Sequence, residues 1–215
     1  MPTIIQGNGG TNAEVEPGTR ALRTVIRPND YGALGIYSKA LTSGVMAAGL
    51  AANSSVFQFR WGSVTNICLV KKVLLSAGGI AAFTAGSLTF NMVPARAFTI
   101  NGAGGTAGTL TGNNGKMRTS MATTLLSDVR IASTAALTAG TWTLDTDAIG
   151  SFSGSTTVTA GTGLVPPGTE LFKHTIGEYP FALVLNEGFN INATVPATGT
   201  WTFSVQVEWE ELASF

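Results

Sequence analysis

Hydrophobic and polar residues alternate over the closing stretch of the chain, "GTWTFSVQVEWEELASF" at 199–215. The large apolar residues fall at every second position: Trp201, Phe203, Val205, Val207 and Trp209. Because neighbouring side chains of a β-strand point to opposite faces, this period of two predicts one long strand with a single buried face. A helix would spread the same residues around its whole circumference. The pattern therefore predicts a strand packed against a core.

Shorter runs of the same character fill the chain from residue 35 onward. "GIYSKALT" at 35–42 and "VFQFRWG" at 56–62 are both typical of strands, and in the second run Gln58 and Arg60 share the side predicted to face water. Glycine, proline and asparagine separate the runs, and these residues favour turns. Many short strands between turns indicate an all-β sandwich or barrel rather than βαβ units.

One of these runs contains an internal conflict. "NICLVKKVLLSAG" at 66–78 is apolar on both sides, which predicts a strand that is covered on both faces. Whichever register holds, either Lys71 or Lys72 must then point with the apolar residues. A β-bulge, a snorkelling lysine stem or a subunit contact would each resolve this conflict.

Two other segments bear on the number and type of elements. Pro94 separates two predicted strands, 87–93 and 96–102, because proline cannot donate to a β-ladder. Residues 120–133 have partly helical spacing, but their β-branched residues favour a strand from about residue 128. We therefore expect at most a short helix there.

The distribution of these patterns predicts two regions. Residues 1–30 contain Gly, Asn and Pro with little periodicity, which indicates an extended N-terminal arm. Residues 31–215 carry the strand patterns, and their length is sufficient for a single β-sandwich domain with a substantial core.

The chain carries few charges for its length. Only 11% of its 215 residues are charged, and twelve basic residues balance twelve acidic ones. An exterior of this kind is covered mainly by small polar residues and does little to keep copies apart, so it favours self-association. Cys68 is the single cysteine and is predicted to be a small buried hydrophobe, without a disulfide framework or a thiolate metal site.

The same composition argues against two classes of partner. Nucleic-acid binding relies on clustered Lys and Arg, whereas the closest such group here, Arg20, Arg23 and Arg27, stands beside Glu14 and Glu16. No segment approaches the roughly 20 apolar residues of a membrane-spanning helix, and "MPTIIQGNGG" lacks the features of a secretory signal. We expect a soluble protein made in a reducing cytoplasm, with no nucleic-acid partner and no membrane partner.

Side chains that catalyse reactions or bind metals are scattered along the chain. His174 is the only histidine, and a surface or interface role is its plainer interpretation, because a triad also needs a nucleophile and an orienting acid. Asp145 and Asp147 resemble the opening of a calcium loop, without its further oxygen ligands. The acids near the end of the chain are predicted to form a solvated strand edge: Glu208, Glu210 and Glu211. We predict no catalytic, cofactor-binding or metal-binding residue, and no enzymatic activity.

Two long stretches resemble a known group of proteins. "YPFALVLNEGFNINATVPATGTWTFSVQVEWEE" at 179–211 resembles the closing strands of β-sandwich structural proteins of tailed-bacteriophage virions, and "GALGIYSKALTSGVMAAGLAANSSVFQFRWG" at 32–62 resembles their opening strands. The resemblance implies a jelly-roll-like antiparallel β-sandwich that decorates, cements or projects from a capsid, commonly as a homotrimer. It implies no catalytic residue.

The expected function is therefore that of a virion structural protein, a capsid decoration or cement protein made in the host cytoplasm. Its expected partners are its own copies, with a trimer favoured, and the major capsid protein or other virion proteins. One alternative is a receptor- or carbohydrate-binding module of a phage fibre or tail, with these candidate contacts: Tyr31, Tyr37, Tyr179 and the 101–118 loop. A second alternative is a shell-forming coat protein, which the lack of a basic arm disfavours.

Overall fold

The computed structural model describes residues 5–6, 12–13, 34–158, 163–175 and 180–213. These residues form fourteen β-strands and no helix. The strands are β1 Ile5–Gln6, β2 Asn12–Ala13, β3 Gly35–Thr42, β4 Ser54–Trp61, β5 Ile67–Ala81, β6 Phe83–Ile100, β7 Thr106–Ala107, β8 Leu126–Ile131, β9 Thr141–Leu144, β10 Gly150–Val158, β11 Gly163–Lys173, β12 Phe181–Leu183, β13 Gly188–Thr194 and β14 Thr200–Leu212.

The chain divides into two compact units, Met1–Tyr31 and Gly32–Phe215. In the first unit, β1 and β2 pair antiparallel. The remainder of the predicted arm, residues 1–30, lies outside the described residues.

The second unit is built from two antiparallel sheets. One has the order β10-β6-β13-β4-β8-β7, with β9 also paired to β6, and the other has the order β11-β5-β14-β3, with β12 also paired to β5. The two sheets pack face to face over one apolar cluster to which both contribute. The predicted all-β sandwich is confirmed, and it follows from strands that are each apolar on one face.

The alternation in β14 places its apolar residues in this core, as predicted. Trp201, Phe203, Val205, Val207 and Trp209 are all buried. Trp209 stacks on Tyr37 with ring centroids 5.4 Å apart, and it meets the edge of Phe59 from the opposite sheet at 5.3 Å. Because burying a large side chain contributes on the order of 2 kcal/mol, these aromatic residues hold the two sheets together.

The predicted solvated edge at the end of β14 is wrong. β14 is an inner strand that pairs with β5 on one side and β3 on the other. Glu210 is 0% exposed and Glu211 is 1% exposed, whereas Glu208 is half-buried. The alternation identified the strand, but strand neighbours depend on the whole topology, which the local pattern does not contain.

The polar side of β4 is also less exposed than predicted. Gln58 is fully buried, because the segment after β6 crosses over it and the Gly102 amide donates to its Oε1 at 2.9 Å. A Cβ at Gly102 would lie 2.5 Å from that oxygen, so the close crossing requires glycine there. Arg60 remains half-buried and donates to the carbonyl of Thr99.

The conflict between Lys71 and Lys72 is resolved by a bulge. Glu208 of β14 pairs with Lys72, whereas the next residue, Trp209, pairs with Val70, so Lys71 is the extra residue on β5. The bulge lets both lysines avoid the core while Val70 and Val73 remain inside.

Pro94 does not end a strand as predicted, because β6 runs through it. Its carbonyl accepts from the Asp145 amide at 2.9 Å, on the side where β9 and β10 meet β6 one after the other. The missing proline N–H therefore faces the gap between two partner strands, where it breaks no ladder. No helix occurs within 120–133, where β8 covers Leu126–Ile131.

Candidate interaction surface

Part of the outward side of the five-stranded sheet carries no charged residue, and we call this part the neutral face. It consists of nine outward-pointing residues, three from each of β3, β5 and β14: Ser38, Ala40, Thr42, Leu74, Ser76, Gly78, Thr202, Ser204 and Gln206. They form rows across the sheet, such as Thr42, Ser204 and Ser76. Short side chains on a sheet allow another surface to approach the backbone closely.

Hydrogen bonds between neighbouring strands fix the polar groups of the neutral face. The Ser76 and Ser204 hydroxyls are 2.6 Å apart, and the Gln206 amide donates to the Ser38 hydroxyl at 3.0 Å. Because these groups already have partners within the sheet, contact with an apolar surface costs less than it would for unpaired groups.

A groove runs over the neutral face beside β11. It consists of two adjoining depressions of about 380 and 150 Å³ that share Ser76 and Ser204 in their linings. Its far wall is the segment of β11 where the pairing to β5 shifts register between Gly163 and Thr169. Pro167 and Gly168 line the two depressions. The groove is shallow and open, which suits a protruding protein surface better than an enclosed small molecule.

Charged residues adjoin the neutral face on two sides, because Glu208 and Lys72 stand in the row of Ser38 and Glu170 of β11 pairs with Leu74. Lys71 forms an ion pair with Glu210 at 3.5 Å, and Lys72 stands opposite Glu208 in the pairing of β5 with β14. Within β11, Lys173 pairs with Glu170 at 3.2 Å. These charges are arranged in opposite-sign pairs, so they add little net field to the adjoining face.

The free edge of β3 beside the neutral face is covered in part by the chain before β8. The Ser38 amide donates to the carbonyl of Gly115 at 2.8 Å, and the Met117 amide donates to the carbonyl of Ile36 at 3.2 Å. Backbone pairing of this kind protects an edge strand from pairing with other chains.

Glu211 fastens the same covering segment to the end of the sandwich. Its carboxylate accepts from the Thr124 hydroxyl, from the Leu125 amide at 3.1 Å and from the Trp209 indole N–H at 3.1 Å. Burial nevertheless raises the pKa of Glu211, against the lowering effect of these donors. Burial and the nearby Glu211 together raise the pKa of Tyr37 to about 12.

The residues considered for chemistry lie at different places in the sandwich: after β11, after β9 and on β14. His174 directly follows β11 and its amide donates to the carbonyl of Lys71, while Asp147 is exposed. Asp145 forms an ion pair with Arg96 at 3.2 Å, and Glu187 binds the same guanidinium at 2.8 Å, which raises the pKa of Arg96. Within the described parts of the chain, no three His, Cys, Asp or Glu side chains are placed to hold a metal ion.

Of the candidates for carbohydrate contact, Tyr37 and the 101–118 loop lie among the described residues. Tyr37 is fully buried, and its hydroxyl donates to the carbonyl of Ala122 at 3.0 Å. Within the 101–118 loop the exposed residues are mostly Gly, Thr and Asn. Two further candidates, Tyr31 and Tyr179, lie outside the described residues. The same is true of the arginines considered above for nucleic-acid binding, Arg20, Arg23 and Arg27. Cys68 is buried, as predicted, and burial raises the pKa of its thiol.

The neutral face was not identified from the sequence, although part of its signal was visible. The alternation of β14 already separated Thr202, Ser204 and Gln206 from the apolar positions. What the sequence did not show is that β3 and β5 flank β14, because strand order depends on long-range pairing. Only that order brings the uncharged outward positions of three strands together.

Two further findings concern membrane-spanning helices and similarity to known proteins. Among the residues that the structure describes, none belongs to a helix long and apolar enough to cross a lipid bilayer. No protein-family model, curated protein sequence or solved structure matches this chain significantly.

Proposed function

We propose that this chain is a structural subunit of a bacteriophage virion, a capsid decoration or cement protein that associates with its own copies through the neutral face. The observation that carries the proposal is the neutral face itself: nine adjacent outward positions without a charge, on a sheet of the sandwich, beside a groove. The sequence resemblance to β-sandwich proteins of phage virions is our reason for proposing that the assembly is a virion. We propose a cyclic homo-oligomer, with a trimer expected.

Physical considerations support association through this face. An exposed sheet surface in a solitary protein is commonly rich in charged side chains, which keep copies apart. Here a neighbouring copy would meet hydroxyl and methyl groups, so no isolated charge would lose its water on association. Many such contacts in a symmetric assembly stabilise a shell by mass action, because the subunit binds only the assembled state.

The chain order of the strands supports a jelly-roll arrangement. The strands β3, β5, β11 and β14 belong to one sheet, and β4, β6, β10 and β13 belong to the other. Successive strands therefore cross mostly from one sheet to the other, as they do when two Greek keys are wrapped into a double-layered sandwich.

The solution mass of the full chain tests the association. Light scattering is expected to give a multiple of the chain mass for the wild-type protein and a smaller mass for Ser204→Lys, which introduces a charge at the centre of the neutral face. Ser153→Lys is the matched control, because Ser153 is exposed on the opposite sheet. A wild-type monomer, or an equal loss of mass in both variants, would contradict association through this face.

The composition of purified virions tests the virion assignment. Quantitative mass spectrometry of virions of the phage that encodes the chain is expected to find it in a fixed ratio to the major capsid protein. Virions that contain none of the chain would refute the proposed function, whatever its solution mass.

A further inference from the structure

The turn at 111–116 contains a bond between asparagine and glycine, from Asn114 to Gly115. An asparagine before glycine is chemically labile, because the next backbone nitrogen can attack the side-chain carbonyl and glycine has no side chain to hinder the attack. The chain has three such bonds, which follow Asn8, Asn101 and Asn114. The first lies outside the described residues, and the other two have different surroundings.

The bond after Asn101 is protected by the fold. The Gly102 amide donates to Oε1 of the buried Gln58 at 2.9 Å, and the side-chain oxygen of Asn101 is itself buried. A backbone nitrogen attacks only after it has lost its proton, and a buried, bonded N–H loses its proton only when the structure opens locally. Reaction at Asn101 is therefore expected to be slow in the folded protein.

The bond after Asn114 lacks both kinds of protection. Asn114 is exposed, and within the described parts of the chain no acceptor binds the Gly115 amide. Lys116 lies in the same turn, with its Nζ 3.4 Å from Oδ1 of Asn113, and its positive charge favours the deprotonated form of a nearby backbone amide. The attacking nitrogen is therefore open to water and to base.

The turn also holds the Asn114 side chain against its own backbone. Its Nδ2 donates to the carbonyl of Thr111 at 2.7 Å, and the same carbonyl accepts from the Asn114 amide at 3.4 Å. Nδ2 is the nitrogen that has to leave, and a carbonyl accepts from ammonia as it does from an amide. Because both reacting groups are held within one turn, bringing them together costs less entropy than it does in a free chain.

We propose that Asn114 is a site of spontaneous deamidation, at which the folded protein converts a neutral side chain into a carboxylate. The Gly115 N–H gives its proton to hydroxide, and the nitrogen attacks Cγ of Asn114. The Cγ–Nδ2 bond then breaks, and Nδ2 takes a proton from water and leaves as ammonia. Water opens the resulting succinimide at Cγ, which gives aspartate, or at the main-chain carbonyl, which gives isoaspartate. The reaction consumes one water and releases one ammonia, and it needs no partner, so it is independent of the proposed function.

The product is expected to loosen the cover on the edge of β3. The Gly115 carbonyl accepts from the Ser38 amide at 2.8 Å, and the Lys116 amide donates to the carbonyl of Asn113 at 3.3 Å. Isoaspartate adds one carbon to the main chain inside this turn, so we do not expect both hydrogen bonds to persist. The chain, whose formal net charge is zero, also gains a negative charge.

Peptide mapping of the incubated protein tests the site. The full folded chain is kept at mildly alkaline pH in heavy-oxygen water, which labels carboxylates formed during the incubation, and is then digested in ordinary water for mass spectrometry. We expect Asn114 to react faster than Asn101 by a factor of about ten or more, mainly to isoaspartate. In urea the two should react at similar rates, because both precede glycine. Equal rates in the folded chain, or an Asn114 that stays intact, would overturn the proposal.

A variant gives an independent measurement of the consequence. Asn114→Gln is the matched control, because glutamine would have to close a larger ring and reacts much more slowly. Both proteins carry Asn8→Gln, so that the bond after residue 8 does not contribute. After incubation, the protein that retains Asn114 should show an added acidic form on isoelectric focusing and faster deuterium exchange at the Ser38 amide, and the variant should show neither. An equal acidic form in both proteins would assign the reaction to another residue and overturn the proposal.

Discussion

Glu211 is a carboxylate on the inward side of a strand, yet it has hydrogen-bond donors on three sides. Thr124, Leu125 and Trp209 supply these donors, so the buried oxygens do not remain without partners. Its neighbours across the pairing are Cys68 and Gly35, which carry no compensating positive charge. Burying this acid costs free energy, and in return its hydrogen bonds hold the chain before β8 against the sandwich.

Removal of the Glu211 side chain is expected to destabilise the fold. Glu211→Ala leaves the donors of Leu125 and Trp209 without their acceptor, so we expect a loss of about 2–4 kcal/mol in the free energy of unfolding, measured by urea denaturation. Glu211→Gln is the control, because its amide oxygen still accepts, and we expect a smaller loss. Equal stability of the alanine variant and the wild-type protein would contradict the role of this carboxylate.

The Glu211 carboxyl also predicts how stability changes with pH. Because burial raises its pKa in the folded state, the folded protein holds the proton more tightly than the unfolded chain does. The resulting stabilisation is complete below the ordinary value of 4.5 and is lost as the pH rises through the higher folded pKa. The stability of Glu211→Gln relative to the wild-type protein should therefore improve from pH 4.5 towards neutral pH. Parallel pH profiles would show that Glu211 does not titrate in this way.

The phenol of Tyr37 is expected to lose its proton at a higher pH than an ordinary tyrosine does. Its pKa of about 12 lies above the ordinary 10.0, so its contribution to stability is present below pH 10 and is lost as the pH rises through 12. Ultraviolet absorbance of tyrosinate should show one late phase that coincides with alkaline unfolding and is missing in Tyr37→Phe. A late phase that persists in Tyr37→Phe would assign the high pKa to another residue.

At the scale of strands, the sequence predicted which side chains point inward better than it predicted strand neighbours. The inward residues of β14 and of β4 follow from local alternation, because the pleat alone decides their direction. The burial of Glu210 and Gln58 depends on strands and crossings far away in the chain, so no local pattern contains it. The bulge at Lys71 was predictable only in part. The sequence showed that one lysine needed to be accommodated, whereas the position of the bulge depends on the register between β5 and β14.

The cover on the edge of β3 depends on one backbone donor. Met117→Pro removes the N–H that donates to Ile36 and is expected to loosen the segment, so the amide of Ser38, which bonds to Gly115, should exchange faster with deuterium. The amide of Val207 in the sheet interior should keep its protection. Met117→Ala is the control, because it retains the N–H, and faster exchange in that variant would assign the effect to the side chain.

The ion pair at the bulge is expected to contribute through its buried partner. Lys71→Met removes a cation 3.5 Å from Glu210, whose side chain is fully buried, and we expect a cost on the order of 3 kcal/mol. Glu210→Gln in the same background should recover much of this loss, because it removes the buried charge. A double-mutant cycle measured by denaturation checks the coupling, and purely additive effects would contradict it.

At the scale of the whole molecule, the structure shows where uncharged surface residues lie next to one another. The sequence predicted a neutral exterior suited to association, and the structure gathers uncharged positions on one sheet face. Composition gives an average over the surface and does not show where the uncharged residues meet. The candidate site was therefore predictable in its chemistry and not in its location.

Association through the neutral face is expected to resist salt. The face carries no charge, so raising the ionic strength from about 0.1 to about 1 M shortens the screening length without weakening its contacts. Sedimentation velocity over this range should give an unchanged or larger mass. Dissociation at high salt would indicate a charged interface elsewhere on the molecule.

The placement of β14 between β5 and β3 also constrains synthesis of the protein. On the ribosome, β3 and β5 emerge long before residues 200–212, and the sheet has no central strand until those residues leave the exit tunnel. Trp201, Phe203 and Trp209 arrive with that strand, so the nascent chain has to keep the apolar sides of its earlier strands apart from other polypeptides while it waits. Completion of the sandwich therefore waits for β14, and we expect a chaperone that holds the unfinished chain to act before that strand is in place.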